Sequence, residues 1–304
     1  MKNSNTVPYV LLTFSAFFWA ASSVVGRYVA GEVPAMALNF CRWFLALAVV
    51  LTWTWKEIYE NRALIRQKWK YFSFLAISSA IGFGALHFIA LQYTGAINGA
   101  LLQGLMPICI LLTALVVLGD PFGAREMIGI ALGFLGITCI VTQGRLSVLL
   151  GMSFNIGDIM LLVGTVSWSI YAVYLRRAPS VLSASTLMAL MFAFAALYTF
   201  PLWMIETFVF DYVLPLNSKA LWAIAFMTIG PSVLAQIFWA YSVSRVGPGK
   251  AGYFIYLAPV FGVLLATQLL GEIFYRFHAV GIALIFTGIW LATRQQRQRT
   301  GVNT

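Results

Sequence analysis

Hydrophobic residues in this chain come in long runs that are separated by short polar segments. About 20 apolar residues cross the hydrocarbon core of a bilayer as one helix, and ten runs reach that length. Such runs must be helical, because lipid offers no partner to a free backbone N–H or C=O group. We therefore predict an all-α membrane protein with ten transmembrane helices. The runs lie at about residues 8–30, 35–55, 71–91, 96–118, 126–143, 157–176, 184–205, 219–243, 250–271 and 277–294.

Basic residues between the runs predict the orientation in the membrane. Cytoplasmic loops carry an excess of Lys and Arg, and most of the 19 basic residues fall on one side if the N-terminus is cytoplasmic. Both termini are then cytoplasmic, which requires an even number of spans. The residues on that side are Lys2, Lys56, Arg62, Arg66, Lys68, Lys70, Arg125, Arg176, Arg177, Arg245, Lys250, Arg294, Arg297 and Arg299.

Composition agrees with a membrane protein and excludes other classes. Of the 304 residues, 61% are hydrophobic and only 9% are charged, whereas soluble domains carry about a quarter charged residues. The net charge of +10 belongs to the loops, so it does not indicate a nucleic-acid surface. Cys41, Cys109 and Cys139 lie singly in apolar runs, which predicts apolar filling and no disulfide or metal site.

The sequence contains an internal repeat. A shift of 152 places Gly95–Gln143 on Gly247–Gln295, with the prolines and several glycines aligned. A shift of 149 places Trp19 on Trp168, so the first apolar run has a counterpart in mid-chain, and we predict that it is a retained span and not a signal peptide. We predict two five-helix units, residues 1–146 and 147–304. Because five is odd, the units are inverted in the membrane, which allows alternating access.

A motif of small and polar residues recurs in the two units: Ala90-Leu91, Pro107, Leu118-Gly119-Asp120, Gly129 and Gly136, repeated as Pro259, Leu270-Gly271-Glu272, Gly281 and Gly288. This motif resembles the EamA family of the drug/metabolite transporter superfamily. The resemblance covers nearly the whole chain and implies a ten-helix transporter with a central cavity between two repeats, often an exporter of amino acids, related metabolites or drugs. Asp120 stands where the family usually has Glu, which is not expected to change the transport class.

Polar and aromatic residues at mid-span depth are candidates for a substrate cavity, because such groups tend to face the interior of a bundle. His87 pairs with Trp239 at the shift of 152. The alternatives are a structural histidine, interfacial tryptophans and ordinary interhelical hydrogen bonds. An aromatic lining would suit an aromatic, apolar or cationic solute. The candidates are Trp19, Ser22, Ser23, His87, Gln103, Trp168, Tyr171, Gln236, Trp239, Tyr253 and Tyr256.

Four residues have more specific expected roles. His87 is the internal group suited to proton coupling, since an unperturbed histidine titrates near neutral pH. Arg42 is a cation within a span, and it either binds a substrate carboxylate or bonds carbonyls and extends toward the interface. Pro107 and Pro259 fall in mid-helix at equivalent positions, where each removes a backbone hydrogen bond and predicts a kink or hinge.

The function predicted from these residues is secondary active export of small metabolites, such as amino acids or amphipathic and aromatic compounds, in a bacterial-type inner membrane. No GxxxxGK[ST] loop is present, so a gradient would supply the energy, with a proton or counter-substrate as coupling species. Expected partners are the solute and the lipid bilayer, without cofactor, metal or nucleic acid. The alternatives are an importer or exchanger of anionic metabolites, of nucleotide-sugar or sugar-phosphate type, and a membrane enzyme or receptor.

Overall fold

The computed structural model describes residues 6–29, 31–90, 93–269 and 273–293. Within these residues it contains helices and no strands, and 9 helices are long and apolar enough to cross a membrane. The all-α membrane fold is thus confirmed. The third predicted span is helical but lies outside these nine, so the number ten stays a prediction. The Leu270-Gly271-Glu272 motif, Leu91, and the C-terminal arginines lie outside the described residues.

The predicted spans correspond to helices that begin and end within a few residues of the apolar runs. Helices α3, α4, α8 and α9 are each built from consecutive segments, and two short helices, Arg62–Gln67 and Leu146–Leu150, lie in loops. The helices are α1 (Thr6–Tyr28), α2 (Ala35–Glu60), α3 (Trp69–Ala76, Ile77–Ala85 and Leu86–Ala90), α4 (Ala96–Gly104 and Met106–Leu118), α5 (Ala124–Val141), α6 (Ile156–Leu175), α7 (Ala184–Phe208), α8 (Ser218–Met227, Thr228–Leu234 and Ala235–Val246), α9 (Pro248–Tyr253, Phe254–Tyr256 and Leu257–Leu269) and α10 (Arg276–Thr293).

Helices α5 and α10 cross through glycines. A Cβ atom built on Gly129 would lie 2.6 Å from the carbonyl oxygen of Gly288, and one on Gly136 would lie 2.6 Å from that of Gly281. Without side chains, the two backbones meet directly, as small residues allow in membrane helices. Gly281 and Gly288 are the counterparts of Gly129 and Gly136 at the shift of 152. Gly129 therefore contacts the counterpart of Gly136, and Gly136 contacts the counterpart of Gly129. This exchange is expected where two inverted copies cross.

Helices α2 and α7 cap one another at both ends of their contact. The carboxylate of Glu206, near the end of α7, accepts hydrogen bonds from the backbone N–H groups of Met36 (2.9 Å) and Ala37 (2.7 Å) at the start of α2. Glu57, near the end of α2, accepts from the N–H of Ser183 (2.6 Å) and from hydroxyls at the start of α7. A carboxylate at a helix N-terminus accepts hydrogen bonds from free N–H groups, and its negative charge interacts favourably with the helix dipole.

Interruptions occur at matching places in the two halves. Helix α3 contains a π-helical segment at Ile77–Ala85, and α8 contains one at Thr228–Leu234. Helix α4 breaks at Leu105, before Pro107, and α9 tightens into a 3-10 turn at Phe254–Tyr256. In α4, α8 and α9 the interruption lies within a turn of Pro107, Pro231 or Pro259, where a backbone hydrogen bond is lost, whereas the segment in α3 contains no proline. A hinge function for Pro107 and Pro259 stays a prediction.

A buried carboxylate joins α6 to the start of α4. Asp158 is 2% exposed, and it accepts hydrogen bonds from the hydroxyl of Thr94 (2.5 Å), from the amide of Asn98 (3.1 Å) and from the N–H of Asn155 (2.8 Å). A carboxylate in such a place is tolerated because hydrogen bonds replace its water. The loop before α4 is thereby fixed to the beginning of α6.

Removing one of these donors should lower stability by a modest amount. Thr94→Val keeps the shape of the side chain but removes the O–H, and we expect a loss of about 1–2 kcal/mol in the free energy of unfolding. Denaturant unfolding in detergent micelles measures this difference. Thr52→Val, on an exposed side chain of α2, is the control. An equal loss in both variants would contradict the assigned role of the Asp158 network.

Candidate functional site

Three tryptophans from three helices meet inside the bundle. The ring centroid of Trp19 on α1 lies 5.7 Å from that of Trp168 on α6 and 5.4 Å from that of Trp239 on α8. Trp168 and Trp239 are 6.3 Å apart. Such distances are typical of edge-to-face and tilted aromatic contacts. We call these three residues the tryptophan cluster.

The cluster continues into α3 and toward a polar pair. The ring of Phe83 lies 5.1 Å from Trp168 and stacks on His87 at 5.5 Å. On the other side, Tyr171 lies 5.0 Å from Trp168, and its hydroxyl donates to the side-chain oxygen of Gln236 at 3.3 Å. His87 is thus connected to the tryptophan cluster through Phe83.

The local backbone explains how these rings reach one another. His87 follows the π-helical segment of α3, and Trp239 follows that of α8. A π-helical segment adds residues to a turn and rotates the side chains that come after it, and it occurs often at functional sites. Ser22 and Ser23 donate back to the carbonyl of Trp19, at 2.7 Å and 3.3 Å. Such bonds often bend a helix at the acceptor.

Two indole N–H groups in the cluster have no hydrogen-bond partner in the described part of the chain. Trp168 is 6% exposed and Trp239 is 1% exposed, and neither Nε1 atom has an acceptor among the described residues. A buried donor without a partner costs about 1–3 kcal/mol. The cluster can therefore offer stacking faces and two N–H donors to a solute that carries an acceptor.

Other predicted residues lie away from the cluster or on its edge. Gln103 donates to the carbonyl of Gly99 in its own helix at 3.4 Å. Tyr256 packs its ring against Gly133 and donates to the carbonyl of Ile130 at 3.4 Å, which places it in the contact between α9 and α5. No ring contact joins Tyr256 to the tryptophan cluster within the residues that the structure describes.

Tyr253 faces a separate cavity of about 320 Å³ at one end of the bundle. This cavity lies where α4, α6 and α8 end and where α5 and α9 begin. Its lining carries both signs of charge, which suits a small solute that is itself a zwitterion, and its volume is at the lower end for small-molecule sites. The charged side chains in its lining are Asp120, Glu126, Arg176, Arg245 and Lys250.

Arg42 lies on α2, outside the tryptophan cluster. Its Nε donates to the side-chain oxygen of Asn39 at 3.0 Å, and its guanidinium lies 4.1 Å from the ring centroid of Trp43. No ion pair joins Arg42 to a carboxylate in the described part of the chain. Its charge is therefore held by an amide oxygen and an aromatic face.

Several residues with clear roles in the structure were not predicted from the sequence. Phe83 gave no signal, because it is one of 24 phenylalanines in an apolar chain. Asn39 and Trp43 were not linked to Arg42, although they stand three residues before it and directly after it on one helix. Glu57 and Glu206 match at the shift of 149, as Trp19 and Trp168 do. That match is the signal that could have revealed the reciprocal caps.

The comparisons with known proteins agree with this architecture. The model of the EamA-like transporter family matches residues 6–142 and 155–294. The chain belongs to this family. Its predicted membership is confirmed, and the protein is an integral membrane protein of a transporter family.

Relatives matched over the whole chain, and one matched over about half of it, carry transporter names. The uncharacterized transporter YyaM of Bacillus subtilis is 28% identical over 96% of this chain and 95% of its own. An uncharacterized transporter of Archaeoglobus fulgidus is 27% identical over 97% of this chain and 100% of its own. The uncharacterized inner membrane transporter YedA of Escherichia coli is 30% identical over 55% of this chain and 52% of its own.

A solved crystal structure shares the fold. It superposes with a TM-score of 0.77 over 93% of this chain and 95% of its own, at 23% sequence identity. At this identity the likeness concerns the arrangement of the helices and not the solute.

Proposed function

We propose that this EamA-like protein is a secondary active transporter that exports small amphipathic metabolites, such as amino acids or aromatic compounds, by alternating access. The observation that carries the proposal is the tryptophan cluster with its two unpartnered indole N–H groups. A solute with an aromatic or apolar body and a polar acceptor matches both features. The charged cavity at the end of the bundle would serve as an entrance for a zwitterion.

Alternating access is supported by the symmetry of the contacts. The glycine crossing of α5 with α10, the reciprocal caps of α2 with α7, and the paired interruptions of α3 with α8 each relate the first half to the second. Inverted halves allow one chain to adopt two related conformations, one open to each side. We propose residues 1–146 and 147–304 as the two halves, with both termini in the cytoplasm.

Transport should be measured first with the purified protein in liposomes. We expect saturable flux of amphipathic solutes, and Trp239→Phe should lower the rate tenfold or more, because it removes an indole N–H and part of the stacking face. Trp222→Phe, in the same helix but 54% exposed, is the matched control. Flux no faster than in empty liposomes across amino acids, aromatic cations, sugars and phosphorylated metabolites would contradict the proposal.

His87 is our proposed proton-coupling residue. With His87→Asn, we expect a pH gradient to stop driving net flux, while exchange of labelled for unlabelled solute continues, since exchange needs no proton movement. The ratio of gradient-driven flux to exchange measures this effect. If this ratio is unchanged in the variant, protons are not coupled through His87, and a counter-substrate becomes the favoured coupling species.

A further inference from the structure

Three polar side chains on one face of α2 contact one another. Asn39, Arg42 and Trp43 stand at positions i, i+3 and i+4, which are neighbours on a helix surface. Arg42 donates to Asn39 at 3.0 Å and lies over the ring of Trp43 at 4.1 Å. Trp43 in turn packs on Phe192 of α7, with ring centroids 5.5 Å apart. The three side chains thus form a group at the interface with a neighbouring helix.

This group has donors in excess of acceptors. Asn39 is 1% exposed and Trp43 is 5% exposed, and neither Asn39 Nδ2 nor Trp43 Nε1 has an acceptor within the described ranges. A guanidinium has five N–H donors and accepts no hydrogen bond. The side-chain oxygen of Asn39 is the acceptor that the group itself supplies, and Arg42 already uses it.

The positive charge of Arg42 also lacks a counter-ion in the described part of the chain. Arg42 stands seven residues after the start of α2, about 10 Å along the helix, where an ionised side chain is expensive and usually has a functional partner. The carboxylate of Glu206 on α7, which lies at the beginning of α2, already accepts hydrogen bonds from the N–H groups of Met36 and Ala37. A partner that would match this group in charge and in hydrogen bonding is an anion with several acceptor positions.

We propose that Asn39, Arg42 and Trp43 form a subsite that binds the carboxylate of a transported solute. The proposal rests on the proposed transport function and narrows its substrates to molecules with a carboxylate. A carboxylate has two oxygens that accept about four hydrogen bonds, and arginine can hold both oxygens at once. The single positive charge of one guanidinium neutralises one carboxylate. A phosphate monoester carries a charge of about −1.5 to −2, so part of its negative charge would stay without a counter-ion.

Paired ligands that differ only in the acid group test this subsite. Phenylalanine is compared with phenylalaninamide, and 3-phenylpropionate with its amide, by thermal unfolding of the purified full-length protein over a range of ligand concentrations. We expect both carboxylates to raise Tm and the amides to have no effect. Arg42→Gln should weaken carboxylate binding at least tenfold, and Trp43→Phe, which keeps the ring but loses the N–H, about threefold to tenfold. Trp53→Phe, on a side chain of α2 that is 52% exposed, should bind as the natural chain does.

The unliganded variants separate binding from a structural role. A charge without a counter-ion within a membrane span is expensive, so Arg42→Gln without ligand should have the same Tm or a higher one. A lower Tm together with unchanged preference for carboxylates would overturn the proposal. Equal binding and flux of acids and amides would overturn the subsite and leave the transport function standing. Absence of both binding and flux for every compound would overturn both.

Discussion

Gly136→Leu should prevent the protein from reaching its folded state. A Cβ at this position would lie 2.6 Å from the carbonyl oxygen of Gly281 and 2.7 Å from a side-chain carbon of Ile285. Backbone atoms of α10 cannot move aside without separating the two helices along their whole contact. We expect a loss above about 4 kcal/mol, which is a large part of the stability of an ordinary protein. Size-exclusion chromatography in detergent should show aggregated protein in place of a single symmetrical peak.

Gly262→Leu provides the matched control for this prediction. Gly262 lies in α9, another membrane helix, and a Cβ there would meet no atom within 4 Å. Leucine also has a better helix propensity than glycine, so this variant should fold as well as the natural chain or better. A folded Gly136→Leu protein with unchanged Tm would show that α5 and α10 are not held in the close contact described above.

The double variant Glu57→Ala, Glu206→Ala should lose about 4 kcal/mol in the free energy of unfolding. Each carboxylate accepts two or more hydrogen bonds at the N-terminus of the facing helix. Loss of an N-terminal cap costs about 0.5–2 kcal/mol, and hydrogen bonds to charged groups add to this. We expect about 2 kcal/mol from each single variant. Urea unfolding in mixed micelles measures the three values.

The stability losses of the two single variants should add in the double variant. The two caps lie at opposite ends of a helix pair, and distant sites add within about 0.5 kcal/mol. Glu60→Ala, at an exposed glutamate one turn after Glu57, is the control and should change stability by less than about 0.5 kcal/mol. A double variant no worse than one single variant would mean that the caps do not act independently.

The helices could be predicted from the sequence because the membrane leaves little choice. An apolar run of about 20 residues must be a helix in lipid, so the runs gave the spans to within a few residues. The π-helical segments of α3 and α8 could not be predicted in the same way. In a helix that is apolar on nearly every side, the apolar residues show no clear period. A change from 3.6 residues per turn to the wider π-helical turn therefore cannot be detected from the sequence.

The repeat supplied a second clue for part of the candidate site, whose role stays a prediction. Trp19 and Trp168 match at the shift of 149, and in the structure their rings are in contact. Tyr256 and Gln103 were predicted only from their depth in a span. Depth does not determine whether a side chain lies on the face of the helix that points into the bundle. Both lie in contacts outside the tryptophan cluster. The excess of hydrogen-bond donors around Arg42 could not be predicted from the sequence, because it depends on where the neighbouring side chains lie.

The cap of α2 by Glu206 has a consequence for biosynthesis. Met36 and its acceptor Glu206 are separated by 170 residues, so at about 5–20 residues per second the ribosome needs roughly 10–30 s to supply the carboxylate after it has made the helix. Until then, the first N–H groups of α2 must be satisfied by water or by lipid headgroups at the membrane surface. The contact between α2 and α7 therefore cannot form until the second half of the chain has been synthesised and inserted.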